Sequence, residues 1–111
     1  MLFCITAQYT SQAINAMLDD PNTNRAEAIS KLIEAAGGKL VSLYFYPAEG
    51  PGVMVTFDVP DPNSAASVAA IAVAGGGVQN LKLMRLLTPD EVRAAQQKAR
   101  QIRSAYKAPG K

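Results

Sequence analysis

The order of apolar and polar positions along this chain switches repeatedly between a period of two and a period near 3.6. Leu2 to Tyr9 is a short run of aliphatic, β-branched and aromatic residues and predicts a strand. Thr10 or Ser11 then stands where a helix cap belongs, ahead of Ile14, Met17 and Leu18 on one side of a helix. Asp19-Asp20-Pro21-Asn22 interrupts that helix, because proline lacks a backbone donor and Asp and Asn favour turns. Asn24 with Glu27 three residues on has the form of a capping box, and Ile29, Leu32, Ile33 and Ala36 continue at helical spacing. Gly37-Gly38 closes the run with residues that tolerate positive φ. The expectation is one helical arm with a break.

Leu40 to Tyr46 and Val53 to Val59 predict two further strands joined through 47–52 as a hairpin. Pro60-Asp61-Pro62-Asn63-Ser64 leads into a helix from about Ser64 to Ala74 that turns Val68, Ile71 and Ala72 inward. Gly75-Gly76-Gly77 stops it, and Val78 to Leu87 predicts a fourth strand. Thr88-Pro89-Asp90-Glu91 is the strongest local signal: an N-cap threonine, proline at the first helical position and acids in the first turn. The helix it opens carries Val92, Ala95, Ala99, Ile102 and Tyr106 as an apolar stripe. The reading is a single domain over 1–107, with a terminal helix over 88–106 and a frayed tail over 108–111.

This order predicts an α+β fold: a ferredoxin-like βαββαβ sandwich, with helices on one face of a four-stranded antiparallel sheet and an extra C-terminal helix. The other face decides the assembly. If it met water, the strands would alternate cleanly between apolar and polar residues. Instead Leu2, Cys4 and Thr6 oppose Phe3, Ile5 and Ala7, and Val41, Leu43 and Phe45 oppose Leu40, Tyr44 and Tyr46. Leaving such a face bare would expose several hundred Å², roughly the largest patch monomers carry. A homodimer with two sheets face to face, a dimeric α+β barrel, or a higher homo-oligomer is therefore expected.

Composition narrows the chemistry. The 111 residues are 49% hydrophobic and 18% charged, enough for one core without metal or disulfide. A formal net charge of +2 gives no bulk attraction for nucleic acid or an anionic membrane, and neither is expected as a partner. The start of the chain lacks a basic region, and the apolar run from Ala65 to Ala74 is half the length of a span, so a cytoplasmic location is expected. Cys4 lies in an apolar run and reads as a buried, reduced thiol. Histidine is absent, which removes the commonest general base and metal ligand, and no metal or cofactor is expected. Gly75-Gly76-Gly77 follows a helix instead of opening one, the wrong way round for a phosphate loop. RNA-recognition modules carry stacking aromatics in a pattern of basic residue, Gly, aromatic, Gly, aromatic, and the corresponding stretch here, Glu49-Gly50-Pro51-Gly52-Val53, has proline and valine in their places.

What remains is a set of polar-tipped side chains. Tyr9, Tyr44 and Tyr46 are candidates to line a cavity, since buried tyrosines need a partner for their hydroxyls. Asn80 and Arg85, with Lys82, are candidates to add polarity or charge from the fourth strand. Each carboxylate fits a cap, a turn or a solvated face, and the basic residues of the last helix (Arg93, Lys98, Arg100, Arg103, Lys107) fit a solvated face near a helix C-terminus.

The segments together resemble the GYD-domain family of small bacterial α+β proteins. The resemblance covers about residues 2 to 92. It is carried by Tyr9-Thr10, Arg25-Ala26-Glu27-Ala28, Gly37-Gly38-Lys39-Leu40, Val55-Thr56-Phe57-Asp58-Val59-Pro60-Asp61 and Leu86-Leu87-Thr88-Pro89-Asp90-Glu91. Where the family has Gly-x-Tyr-Asp at the third strand, this chain has Glu49-Gly50-Pro51-Gly52. The resemblance implies the fold and dimerisation and no assigned activity. Function is therefore expected to be a non-catalytic homo-oligomeric module holding a small apolar ligand or a protein partner. The alternative is a cofactor-independent barrel oxygenase or isomerase for a small aromatic or lactone substrate. There Tyr44, Tyr46 or Asn80 would orient the substrate and Asp58 would be a weak base.

Overall fold

The computed structural model describes residues 1–47 and 49–111; Ala48, within the connection expected over 47–52, lies outside the described residues. The elements run β1 (Leu2–Tyr9), α1 (Ser11–Asp19), α2 (Arg25–Ala35), β2 (Lys39–Tyr46), β3 (Gly52–Asp58), α3 (Pro62–Ala74), β4 (Val78–Leu86) and α4 (Pro89–Ile102), ending in a short 3₁₀ turn over Arg103–Ala105. The four strands form one antiparallel sheet in the order β2-β3-β1-β4, the ferredoxin-like arrangement.

Local chemistry sets the boundaries. Thr10 caps α1 by accepting from Ala13 N at 3.2 Å, and Asn24 caps α2 by accepting from Glu27 N at 2.9 Å. The Pro21 interruption thus yields two helices, each with its own start. Helix α3 begins two residues earlier than the alanine pattern predicts, because Asp61 caps it and Pro62 fills the first turn. Gly37, at φ +86°, ends α2 where a side chain would be strained.

The core lies on one side of the sheet. Phe3, Ile5, Ala7 and Tyr9 of β1 and Val53, Val55 and Phe57 of β3 pack with Ile33 of α2 and with Val59, Ala65 and Val68. Phe57 and Ile33 are fully buried. Ile71 of α3, expected to face inward, is exposed.

A bulge at Val41 changes the expected grouping of β2. The register shifts between Leu40 and Ser42, so Leu40 and Leu43 both pack against the core while Val41 is exposed. A strict alternation misses this because one extra residue inverts every side chain beyond it.

The outer face is mixed. The pairs Leu2–Leu86 and Cys4–Met84 give it an apolar centre, extended by Met54 and Tyr44, whereas Thr6, Lys82, Ser42 and Thr56 share the same rows. Cys4 is buried there, outside the helix-side core, and burial pushes its thiol pKa up.

Helix α4 stands apart, with no substantial packing on any strand or other α-helix among the described residues. Ile102 and Tyr106 are exposed. The radius of gyration is 17.8 Å, against about 13 Å for a compact chain of this length.

Candidate functional site

Between the helices and the sheet lies a half-open cleft of about 420 Å³, within the range of roughly 300–1,000 Å³ usual for small-molecule sites. Its walls are Ala13, Ala16 and Met17 of α1, Ala28, Ile29 and Leu32 of α2, and Ile71 and Ala72 of α3. Small alanines on facing helices keep it open. Below it a chamber of about 70 Å³ reaches the core at Ile5, Val55 and Val68. The two spaces share Tyr9, Arg25, Ile29, Leu32, Ala72 and Val78, so they are adjoining parts of one site.

The lining is apolar except for three side chains: Tyr9, Thr23 and Arg25. Tyr9 ends β1 on the helix side, where its ring stacks on Phe45 at 6.2 Å. It is only 7% exposed, and its hydroxyl is buried with no hydrogen-bond partner among the described residues. Arg25 is the first residue of α2 and is half-buried. No ion pair or side-chain hydrogen bond among the described residues involves it.

Of the five side chains proposed from sequence, the cleft takes only Tyr9. Tyr44 is exposed on the outer face opposite Met54. The Tyr46 ring crosses β3 over Gly52, and its hydroxyl donates to the Ala7 carbonyl at 3.2 Å, tying β2 to β1. Asn80 has φ +53° at the β4 irregularity, a conformation Asn tolerates, and donates to Gln8 Oε1 at 2.7 Å. Arg85 pairs with Glu91 at 2.7 Å, joining β4 to the start of α4. Lys82 is exposed on the outer face. Asp58, the weak base of the alternative reading, accepts from the chain's amino group at 2.9 Å.

Arg25 is the residue that sequence reasoning missed. A signal was there: Arg25, Ile29, Leu32 and Ala36 follow one another at i, i+4, i+7 and i+11. A cation heading an apolar stripe is a cation aimed toward the core side.

The family model described as the GYD domain matches residues 3–95, nearly the whole fold up to the first turns of α4. The chain belongs to the GYD domain family. In this GYD protein Tyr9 and Arg25, which line the cleft, both lie inside the matched span. A search of the curated proteins finds no match. Among solved structures, a protein of Agrobacterium tumefaciens is similar at 17% identity and a TM-score of 0.45, over 80% of this chain and 96% of that one. A dimeric ferredoxin-like protein from an uncultured marine organism is similar at 13% identity and a TM-score of 0.40, over 78% of this chain and 94% of that one. Among the described residues no cluster of His, Cys, Asp and Glu could hold a metal ion, and no helix is long and apolar enough to cross a membrane.

Proposed function

We propose that this GYD protein is a homo-oligomeric binding module that holds a small, mostly apolar molecule between its helices and its sheet. The observation that carries the reading is the Tyr9 hydroxyl, buried at an apolar cleft without a partner. Leaving a buried polar group unpaired costs about 1–3 kcal/mol, and a ligand with one acceptor atom would recover that loss. The lining has no carboxylate, lysine or thiol among the described residues, which favours holding a molecule over transforming it.

The test is a thermal-shift titration with hexanamide, an apolar chain ending in a neutral acceptor. Binding to the folded state raises Tm. Ala28→Phe, which places a ring in the cleft, is expected to abolish the shift. Tyr9→Phe is expected to melt no lower than the parent without ligand and to show a smaller shift. Absence of any shift at millimolar hexanamide, or the same shift in Ala28→Phe, overturns the reading.

The oligomeric part is supported by the α4 stripe and by the apolar centre of the outer sheet face, which a second copy of the chain would cover. Light scattering is expected to give a mass of at least two chains, with Ile102→Asp reducing it. A monomer at micromolar concentration removes this part.

A further inference from the structure

We propose that the molecule held in the cleft is a carboxylic acid, bound as its anion with the carboxylate at Arg25 and the apolar body running toward Ile29, Leu32 and Val78. This inference rests on the cleft being the binding site and adds the charge of the ligand to it.

Three observations carry it. Among the described residues Arg25 is the only charged side chain lining either the cleft or the chamber beneath it. Its positive charge therefore faces an apolar space with no acid on the walls. A cation bordering an apolar space is placed to pair with the charge of an anionic ligand whose body fills that space.

None of the acids nearest in the chain pairs with Arg25. Glu27 pairs with Lys31 at 3.0 Å, and Glu34 accepts from Ser30 at 3.3 Å. Asp19 and Asp20 are exposed and line neither space. Nothing among the described residues supplies the cation with its partner, so the ligand does.

The third observation concerns what stands beside the cation. Arg25 is the first residue of α2, so the positive end of that helix lies at the same wall, and Thr23 lines it too. Tyr9 lines both spaces together with Arg25 and has a free hydroxyl donor. A guanidinium fork and one hydroxyl suit the two oxygens of a carboxylate. The rest of the lining, made of Ala, Ile, Leu, Met and Val, asks for hydrocarbon. An amphipathic monoacid with a compact body meets both demands, whereas a phosphate monoester, at about −1.5 to −2, would bring up to one further negative charge against apolar walls.

The experiment compares hexanoate with hexanamide by calorimetry on the intact protein at pH 7. The two differ in charge and hardly in shape. Hexanoate is expected to bind roughly ten- to hundred-fold more tightly, the ratio that a hydrogen bond to a charged group supplies. Arg25→Gln should bring hexanoate down to the level of hexanamide, and Arg25→Lys should restore part of the difference. Circular dichroism of both variants checks that they fold, as a half-exposed position at a helix start allows. Equal affinity for acid and amide, or hexanoate binding untouched by Arg25→Gln, overturns the anion assignment while the cleft remains a binding site. Failure of both probes to bind removes the cleft reading and this inference with it.

Discussion

Helices α2 and α4 are similar in length, at 11 and 14 residues, and each begins with a side-chain cap. Their fates differ. Helix α2 buries Ile33 completely against the sheet and lends Leu32 and Ile29 to the cleft wall. Helix α4 has the better start, with a complete Thr88–Glu91 capping box and proline in its first turn, yet buries none of its residues. Capping decides where a helix begins; it says nothing about what the helix packs against. One helix belongs to the body of the protein, and the other leaves Val92, Ile102 and, just past its end, Tyr106 exposed.

The difference should be largest in the response to truncation. Ile33→Ala empties a fully enclosed site and is expected to cost about 2–5 kcal/mol, with the low end reached if the adjoining cleft collapses inward. Ile102→Ala, the counterpart on α4, is expected to change the unfolding free energy of the isolated chain by no more than about 0.5 kcal/mol. Urea titrations on both variants at low protein concentration make the comparison. Similar losses at the two positions would mean that α4 is part of the cooperative unit.

A second break targets the place where Tyr46 of β2 reaches across β3 to β1. A methyl group at Gly52 would overlap the Tyr46 ring, which lies across that residue to reach Ala7. Gly52→Ala is expected to cost roughly 1–3 kcal/mol through displacement of the ring and loss of its hydrogen bond. Tyr46→Phe should lose only the smaller, hydrogen-bond part. If Gly52→Ala matches the parent in Tm, the ring has room to move and the close approach carries no weight.

Much of the fold could be read from the chain because its signals are local. The caps at Asn24 and Thr88, the proline break at Pro21 and the glycine stop at Gly37 each act within a turn of their own position. The site was harder for a physical reason. Tyr46, Asn80 and Arg85 are the residue types that line pockets, but the fold gives each a partner: the Ala7 carbonyl reached across β3, Gln8 on the strand beside β4, and Glu91 in the helix that follows. Tyr9 keeps its hydroxyl unpaired, and only the register of β1 against β3 and β4 settles that it faces the helices. The Val41 bulge shows the same limit, since pairing across the sheet created it.

Removing the two caps sharpens the contrast at smaller amplitude. Asn24→Ala and Thr88→Ala each forfeit a side-chain bond to a helix N–H, worth about 1 kcal/mol. For α2 that loss is coupled to the core and should lower Tm by roughly 4–8 °C. For α4 it should leave Tm alone and instead speed local amide exchange by about fivefold, because the helix opens without the body. Exchange measured by mass spectrometry separates the two; a global Tm drop in Thr88→Ala would join α4 to the core.

The smallest effect is a pH dependence, and it divides the same way. The Asp61 carboxylate is held below the usual range chiefly by the Ser64 backbone N–H. Glu91 is held below it chiefly by the Thr88 backbone N–H, against a smaller opposing effect of desolvation. A carboxyl group lowered on folding binds fewer protons in the folded chain than in the unfolded one. Its contribution is complete above the ordinary range of about 4 and drains away as pH falls through the lowered value. Acidification from about pH 5 should therefore loosen the first turns of α3 and α4. Helix α3 is packed through Ala65 and Val68, so its loss should appear in Tm, whereas that of α4 should appear only as fraying. Asp61→Asn keeps a capping oxygen without the titration, so its Tm should fall less steeply with acid than the parent's. Parallel curves for the two proteins would show that this cap does not titrate with folding, and Glu91→Gln should leave the slope of Tm unchanged.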